Sequence, residues 1–223
     1  MKKNLAVIFD MDGVLLDTES VCNICWERAG LEWKLNNVMD IALQCVGCNK
    51  ADTVKILSKY LPSEKDAASF LERTGELFEV VEKEQGLKKM PFALECLQSL
   101  KKAGFRLALA SSTRAAKVHP QLTNAGLHEF FETFTTGDTV LHSKPDPEIY
   151  LKACQSLSLK PEECVAIEDS PNGVRSATAA GLKCIMVPDL IKPDSEMKEK
   201  AWKILTNLKE VAEFLCPTSK TVI

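Results

Sequence analysis

Leu5-Ala6-Val7-Ile8-Phe9-Asp10-Met11-Asp12-Gly13-Val14 decides how the rest of the chain is read. Five apolar residues without alternation form the pattern of a short strand covered on both faces, and the run stops at two aspartates and a glycine. Similar runs return at 106–110 (RLALA), 163–167 (ECVAI) and 183–187 (KCIMV), with a weaker candidate at 131–136. Helical spacing fills the intervals. Leu94, Leu97 and Leu100 share one face of a segment at 91–103 that Gly104 stops. Segments at 114–125 and 146–157 follow, the first closed by Gly126 and the second opened after Pro145. A segment at 171–180 has Ser170 as N-cap, Pro171 at its first position and Gly181 beyond its end. Strands alternating with helices imply right-handed crossovers. The expected fold is α/β, a doubly wound, mostly parallel sheet with helices on both faces.

Residues 18–88 break this rhythm and offer no convincing strand. Four helical patterns, at 21–29, 38–46, 51–60 and 64–83, are separated by Gly30, Gly47, Pro62 and Gly86. The expected organisation is therefore an α/β core at 1–16 and 89–223, interrupted after its first strand by an α-helical cap at 17–88. The tail from Pro217 is short and polar.

A chain of 223 residues has room for one or two domains and needs no metal or disulfide staple to fold. Hydrophobic residues at 45% and charged residues at 26% fit a globular protein. A net charge of −3 opposes a nucleic-acid binder that works by neutralising phosphates. No apolar run reaches the ~18 residues of a membrane span. The apolar start is cut short by Asp10, too early for a signal peptide, so a cytoplasmic protein is expected. Nine cysteines, an odd number spread through helix and strand patterns, suit a reducing compartment better than a disulfide framework.

The chemistry collects where the strands end. In open α/β sheets, ligands bind beyond the carboxyl ends of the strands. Asp10 and Asp12 follow the first strand, Ser111, Ser112 and Thr113 the second, and Glu168 and Asp169 the run at 163–167. Lys144 precedes Pro145 before the helix at 146. Carboxylates this close repel unless a cation neutralises them, and an all-oxygen site suits a hard ion, Mg²⁺ first. A hard cation, a lysine and hydroxyl donors together suit a phosphate, and a carboxylate beside them is placed to attack phosphorus.

These four motifs, in this order, resemble the haloacid dehalogenase superfamily of phosphatases, whose core is Rossmann-like. The closest likeness is to the branch with a helical cap, which contains β-phosphoglucomutase and sugar-phosphate and phosphoglycolate-type phosphatases. The resemblance implies a Mg²⁺-dependent hydrolysis of a small phosphomonoester through a phosphoaspartate. Asp10 would be the nucleophile. Asp12 would act as acid and then base, its carbonyl also binding Mg²⁺. Ser111 would hold the phosphoryl group, and Lys144 would neutralise it. Asp169 would ligate Mg²⁺, with Glu168 as ligand or neighbour. Ser112, Thr113, Arg114, Glu19, Lys50 and Asn172 are the candidates for substrate contact. The cap would close over the site on hinges near 14–18 and 86–91. The partner would be a small phosphorylated metabolite, not a nucleic-acid polymer or membrane, and the protein a monomer or weak dimer.

Three other readings bear on the same residues. In the mutase branch, the resemblance implies a cap histidine, lysine and arginine, which fall at Cys22, about Val46 and Lys50. Two of these three polar groups are lost, which favours transfer to water over transfer to a sugar. Cys22-x₂-Cys25 and Cys45-x₂-Cys48 have zinc-like spacing, but the first pair falls in an amphipathic helix and reads as packing. A non-catalytic relative retained for metal or partner binding is opposed by the intact motifs. His119, His128 and His142 stand apart with no ligand spacing, and Trp26, Trp33 and Trp202 read as packing residues.

Overall fold

The computed structural model describes residues 6–45 and 50–217. Six strands form one sheet: β1 (Ala6–Phe9), β2 (Arg106–Ser111), β3 (Thr133–Thr136), β4 (Cys164–Glu168), β5 (Lys183–Met186) and β6 (Lys203–Ile204). Their order is β3-β2-β1-β4-β5-β6, and every pair is parallel. Phe9 stands opposite Leu109 on one side and Ile167 on the other. The strand order therefore reverses across β1, the position at which such sheets open a ligand crevice.

The chain falls into two compact units, one built by 17–87 and the other by the remainder. The helical unit holds α1 (Thr18–Trp33), α2 (Val38–Cys45), α3 (Lys50–Leu57) and α4 (Glu64–Gln85). The sheet unit adds α5 (Ala93–Lys102), α6 (Ala115–Asn124), α7 (Glu148–Ser156), α8 (Pro171–Ala179), α9 (Ser195–Lys200) and α10 (Leu208–Leu215). Within it, Leu16 bridges to Lys89, so the chain leaves and rejoins the sheet unit at neighbouring points.

The unbroken apolar runs follow from burial on both faces. Ala6, Ile8, Ala108, Ala110 and Ala166 share one core with Ile149, Tyr150 and Ala153 of α7 and Val174 of α8. Their alternates Val7, Phe9, Leu107, Leu109 and Ile167 point to the opposite face and are equally inaccessible. Small residues on the first face let α7 lie close to the strands, which brings its first turn under the sheet's carboxyl edge.

The helical unit has its own core. Val21, Cys25 and Ala29 on α1 meet Phe70, Leu77 and Val81 on α4, each set at helical spacing. Trp26 and Trp33 place ring edges on Phe70 at 5.3 and 5.6 Å. Arg73 grips Glu32 with two hydrogen bonds of 2.8 and 2.9 Å, tying α4 to α1. Phe70→Ala would empty the middle of this cluster and is expected to destabilise the unit by about 3–5 kcal/mol, read as a shift of its denaturant midpoint.

The structure differs from the sequence reading at several points. Gly30 does not end a helix. It lies inside α1, and glycine is accommodated there by close packing, since a Cβ would stand 2.8 Å from Val38. Strand β2 extends to Ser111 and β4 to Glu168, so both chemical residues lie in the strands themselves. The weak strand at 131–136 shortens to β3. Strand β6 and helices α9 and α10 add to the elements expected from the sequence pattern. His119 and His128 are not isolated: their ring nitrogens lie 3.0 Å apart, with His128 stacked on Phe134. No helix among the described residues is long and apolar enough to cross a membrane.

Candidate active site

Asp10 continues the β1 ladder by donating its N–H to the Ile167 carbonyl at 3.0 Å, and it is only 6% exposed. The chain then turns: Leu15 and Leu16 both donate to the Met11 carbonyl, and Gly13 to the Leu16 carbonyl. Gly13 has φ +73°, and a Cβ there would lie 2.5 Å from Asp169 Oδ2. Only glycine provides both this backbone conformation and the clearance. Asp12 is thereby returned to the site two residues beyond Asp10.

Ser111 is fully buried, and its Oγ accepts the Thr113 N–H at 3.0 Å. Thr113 Oγ1 donates to Asp12 Oδ2 at 2.8 Å, with Ser111 Oγ at 3.4 Å from the same oxygen. Thr113, weighed as a substrate contact, thus holds the Asp12 carboxylate. Gly137 secures this segment from the next strand end, donating to the Thr113 carbonyl at 3.0 Å. A Cβ on Gly137 would overlap the Ser112 carbonyl.

Lys144 is nearly inaccessible, and its ammonium has three acceptors: Asp10 Oδ1 at 2.5 Å, Glu168 Oε1 at 2.6 Å and the Ala110 carbonyl at 3.0 Å. The loop that presents it is fixed from outside by Glu148. Its Oε2 accepts the N–H groups of Leu141 and His142, each at 2.9 Å, and its Oε1 pairs with Lys152 at 2.6 Å. These bonds hold the Glu148 carboxyl down to about 2, with the Lys152 hydrogen bond the leading cause. Glu168 Oε1 also accepts the Tyr150 hydroxyl at 2.8 Å, and its Oε2 accepts the Asp169 N–H at 3.2 Å. Gly173 leaves the space that the Glu168 carboxylate fills.

Four carboxylates thus face one ammonium. Burial pushes Asp10 up to about 8, with the negative charges of Glu168 and Asp12 adding to it against the pull of Lys144. Burial, with Glu168 and Asp10 beside it, likewise raises Asp169 well above the carboxylate range. Burial opposes the charge on Lys144, but Asp10 and Glu168 overcome it and hold its proton above the ordinary lysine value. The phenol of Tyr150 is raised by burial and by Glu168, so it remains a donor.

The donor set fits a divalent cation. Asp10, Glu168 and Asp169 offer oxygens within 4.8 Å of one another, all hard ligands, and the carboxyls of Asp10 and Asp169 are raised by burial and by the negative charges beside them. One consequence concerns stability. The unfolded chain sheds the Asp10 proton near 3.8, whereas the folded protein keeps it to about 8. Between those values the folded state binds more protons, so stability is lost as pH rises. In EDTA, Tm is expected to fall from pH 5 to pH 8, and MgCl₂ to restore it most at pH 8. A Tm that held level or rose in EDTA would contradict this charge balance.

The strand ends therefore bring Asp10, Asp12, Ser111, Thr113, Lys144, Glu168 and Asp169 together. Of the other candidates, three lie in the sheet unit and two in the helical unit. Ser112 and Arg114 are exposed. The Asn172 side chain accepts from Arg175 at 3.0 Å within α8. In the helical unit, Glu19 lines a cavity of about 250 Å³ with Cys22, Asn23, Trp26, Cys45 and Thr53, while Lys50 is exposed at the start of α3 and does not line it. Cys25 packs in that unit's core, apart from the cavity. Val46, Gly47 and Cys48, weighed for mutase chemistry, substrate choice and zinc, lie outside the described residues. The reading of the sequence missed Tyr150, whose place in an apolar helix face signals only core.

A "Phosphorylated carbohydrates phosphatase" of Thermotoga maritima is 35% identical over 180 residues, covering 81% of this chain and 83% of that protein. "Hexitol phosphatase B" of Escherichia coli is 30% identical over 191 residues, covering 82% of this chain and 83% of its own length. Among solved structures, CbbY from Rhodobacter sphaeroides in complex with phosphate superposes with a TM-score of 0.72 at 26% identity, over 93% of this chain and 96% of that one. The family model for haloacid dehalogenase-like hydrolases matches residues 7–187, from β1 through β5, and the chain belongs to that family.

Proposed function

We propose that this protein is a Mg²⁺-dependent phosphatase that hydrolyses a small phosphomonoester through a phosphoaspartate on Asp10. The observation that carries the reading is the division of labour between two carboxylates. Asp10 is gripped by Lys144, whereas the Asp12 carboxylate accepts from the Thr113 hydroxyl. A nucleophile needs its charge neutralised as it meets a phosphate, and an acid–base group needs to exchange a proton freely.

Asp10 attacks phosphorus, and the bond from phosphorus to the substrate oxygen breaks. Asp12 gives its proton to that oxygen, releasing the alcohol. Asp12 then takes a proton from water, whose oxygen attacks the phosphoryl group and frees Asp10, leaving inorganic phosphate. Ser111 donates to the transferring phosphoryl oxygens, and Lys144 balances their charge. Asp10, Asp169, the Asp12 carbonyl and Glu168, directly or at one remove, would hold Mg²⁺, which would supply screening between the nucleophile and the phosphoryl oxygens.

Phosphorylated carbohydrates are the favoured substrate class, because the relatives named above act on such compounds by name. Nucleotides and phosphorylated organic acids are the other classes to include. A mutase is the weaker reading, since the cavity of the helical unit presents Cys22 where the mutase branch carries a histidine. A cytoplasmic monomer or weak dimer completes the proposal, and the described cysteines are all free thiols.

The test is phosphate release from a panel of sugar, polyol, nucleotide and organic-acid phosphates, with Mg²⁺ and with EDTA. Release that needs Mg²⁺ and favours carbohydrates supports the proposal. Transfer to a hexose phosphate with no release would favour the mutase, and inertness throughout would favour a non-catalytic relative.

A further inference from the structure

Tyr150 has no part in the chemistry above, yet its position is unusual. It is fully buried in the third position of α7, among alanines and aliphatic side chains where phenylalanine would fit without a polar atom to satisfy. Its hydroxyl reaches Glu168 Oε1 at 2.8 Å, the same oxygen that accepts Lys144 at 2.6 Å. The Lys144 ammonium also stands 5.2 Å from the centre of the Tyr150 ring.

A lysine ammonium has three N–H donors, and Lys144 spends all three on Asp10, Glu168 and the Ala110 carbonyl. To reach a phosphoryl oxygen it must release one of them. The Ala110 carbonyl belongs to β2, and Asp10 is the nucleophile whose charge must stay neutralised. The bond to Glu168 is the one that can be given up without stranding a buried charge, because Oε1 keeps the Tyr150 donor.

We propose that Tyr150 is a positioning residue for phosphoryl transfer: it fixes the Glu168 carboxylate and lets Lys144 turn from Glu168 to the phosphoryl group. The proposal rests on the phosphatase reading above. Without the hydroxyl, Lys144 is held to Glu168 by the cost of leaving that oxygen bare, and the transition state loses its cation.

The experiment compares the full-length wild type with Tyr150→Phe, Glu168→Gln and the double variant, using p-nitrophenyl phosphate and Mg²⁺. Tyr150→Phe is expected to lower kcat by about tenfold, with KM within about twofold. In the Glu168→Gln background, the same change is expected to add less than about twofold. Unchanged kcat in Tyr150→Phe, or an equal loss in both backgrounds, would overturn the proposal while leaving the phosphatase reading intact. A wild type inert on this ester and on the panel would overturn both.

A second measurement stands should Tyr150→Phe not fold. The chain has two tyrosines, so 3-fluorotyrosine labelling gives two ¹⁹F signals, and Tyr60→Phe identifies that of Tyr150. With Mg²⁺ present, trifluoroberyllate as phosphoryl mimic is expected to shift the Tyr150 signal as Lys144 leaves Glu168. A signal that stays in place once the mimic has bound would overturn the proposal.

Discussion

Asp10→Asn is expected to lower phosphate release by at least about four orders of magnitude while leaving the protein folded. The amide is nearly isosteric, and its oxygen can still accept from Lys144, so the packing around β1 is kept. What it loses is the nucleophile. It also removes one of the buried carboxylates that face a single ammonium. In EDTA at pH 8, where that crowding costs most, the variant is therefore expected to melt at or above the wild-type Tm. Higher stability together with lost activity separates a reacting group from a structural one. Residual turnover within about tenfold of wild type would mean that another group attacks phosphorus.

Lys144→Met is the second large effect. It removes the only cation within hydrogen-bonding reach of both Asp10 and Glu168 among the described residues. Activity is expected to fall by about 10²–10³, the usual cost of deleting a preorganised electrostatic partner. Stability should move opposite to Asp10→Asn. With the ammonium gone, buried carboxylates are left uncompensated, so Tm in EDTA at pH 8 should drop well below wild type. Lowering the pH to 5 should recover much of the drop, because protonation supplies what the lysine did. Equal Tm losses at both pH values would attribute the effect to packing alone.

The legible parts of this fold are those in which local pattern and tertiary environment agree. Strand β1 reads correctly because both its faces are buried and its end is marked by Asp10, Asp12 and Gly13. Helix α8 reads correctly because Ser170 caps it, its hydroxyl accepting from Gly173. Gly30 misled because its reason is a neighbour, Val38, and not a helix stop. Strand β6 has two residues and α9 has six, too short for periodicity to reveal, and each depends on packing at the sheet edge. In the site, residues identified by type and spacing were found at the strand ends. Tyr150 and the bond from Thr113 to Asp12 were not legible, because their meaning lies in partners distant along the chain.

The central claim is that phosphate passes through Asp10, and the most direct measurement is to catch it there. Wild-type enzyme mixed with Mg²⁺ and its best substrate from the panel, quenched in acid within one turnover, is digested and analysed by mass spectrometry. The account predicts one added phosphoryl group on the peptide carrying Asp10, labile to hydroxylamine and missing from Asp10→Asn. A peptide left unmodified while inorganic phosphate appears in a burst, or a phosphoryl group found on another residue, would contradict it.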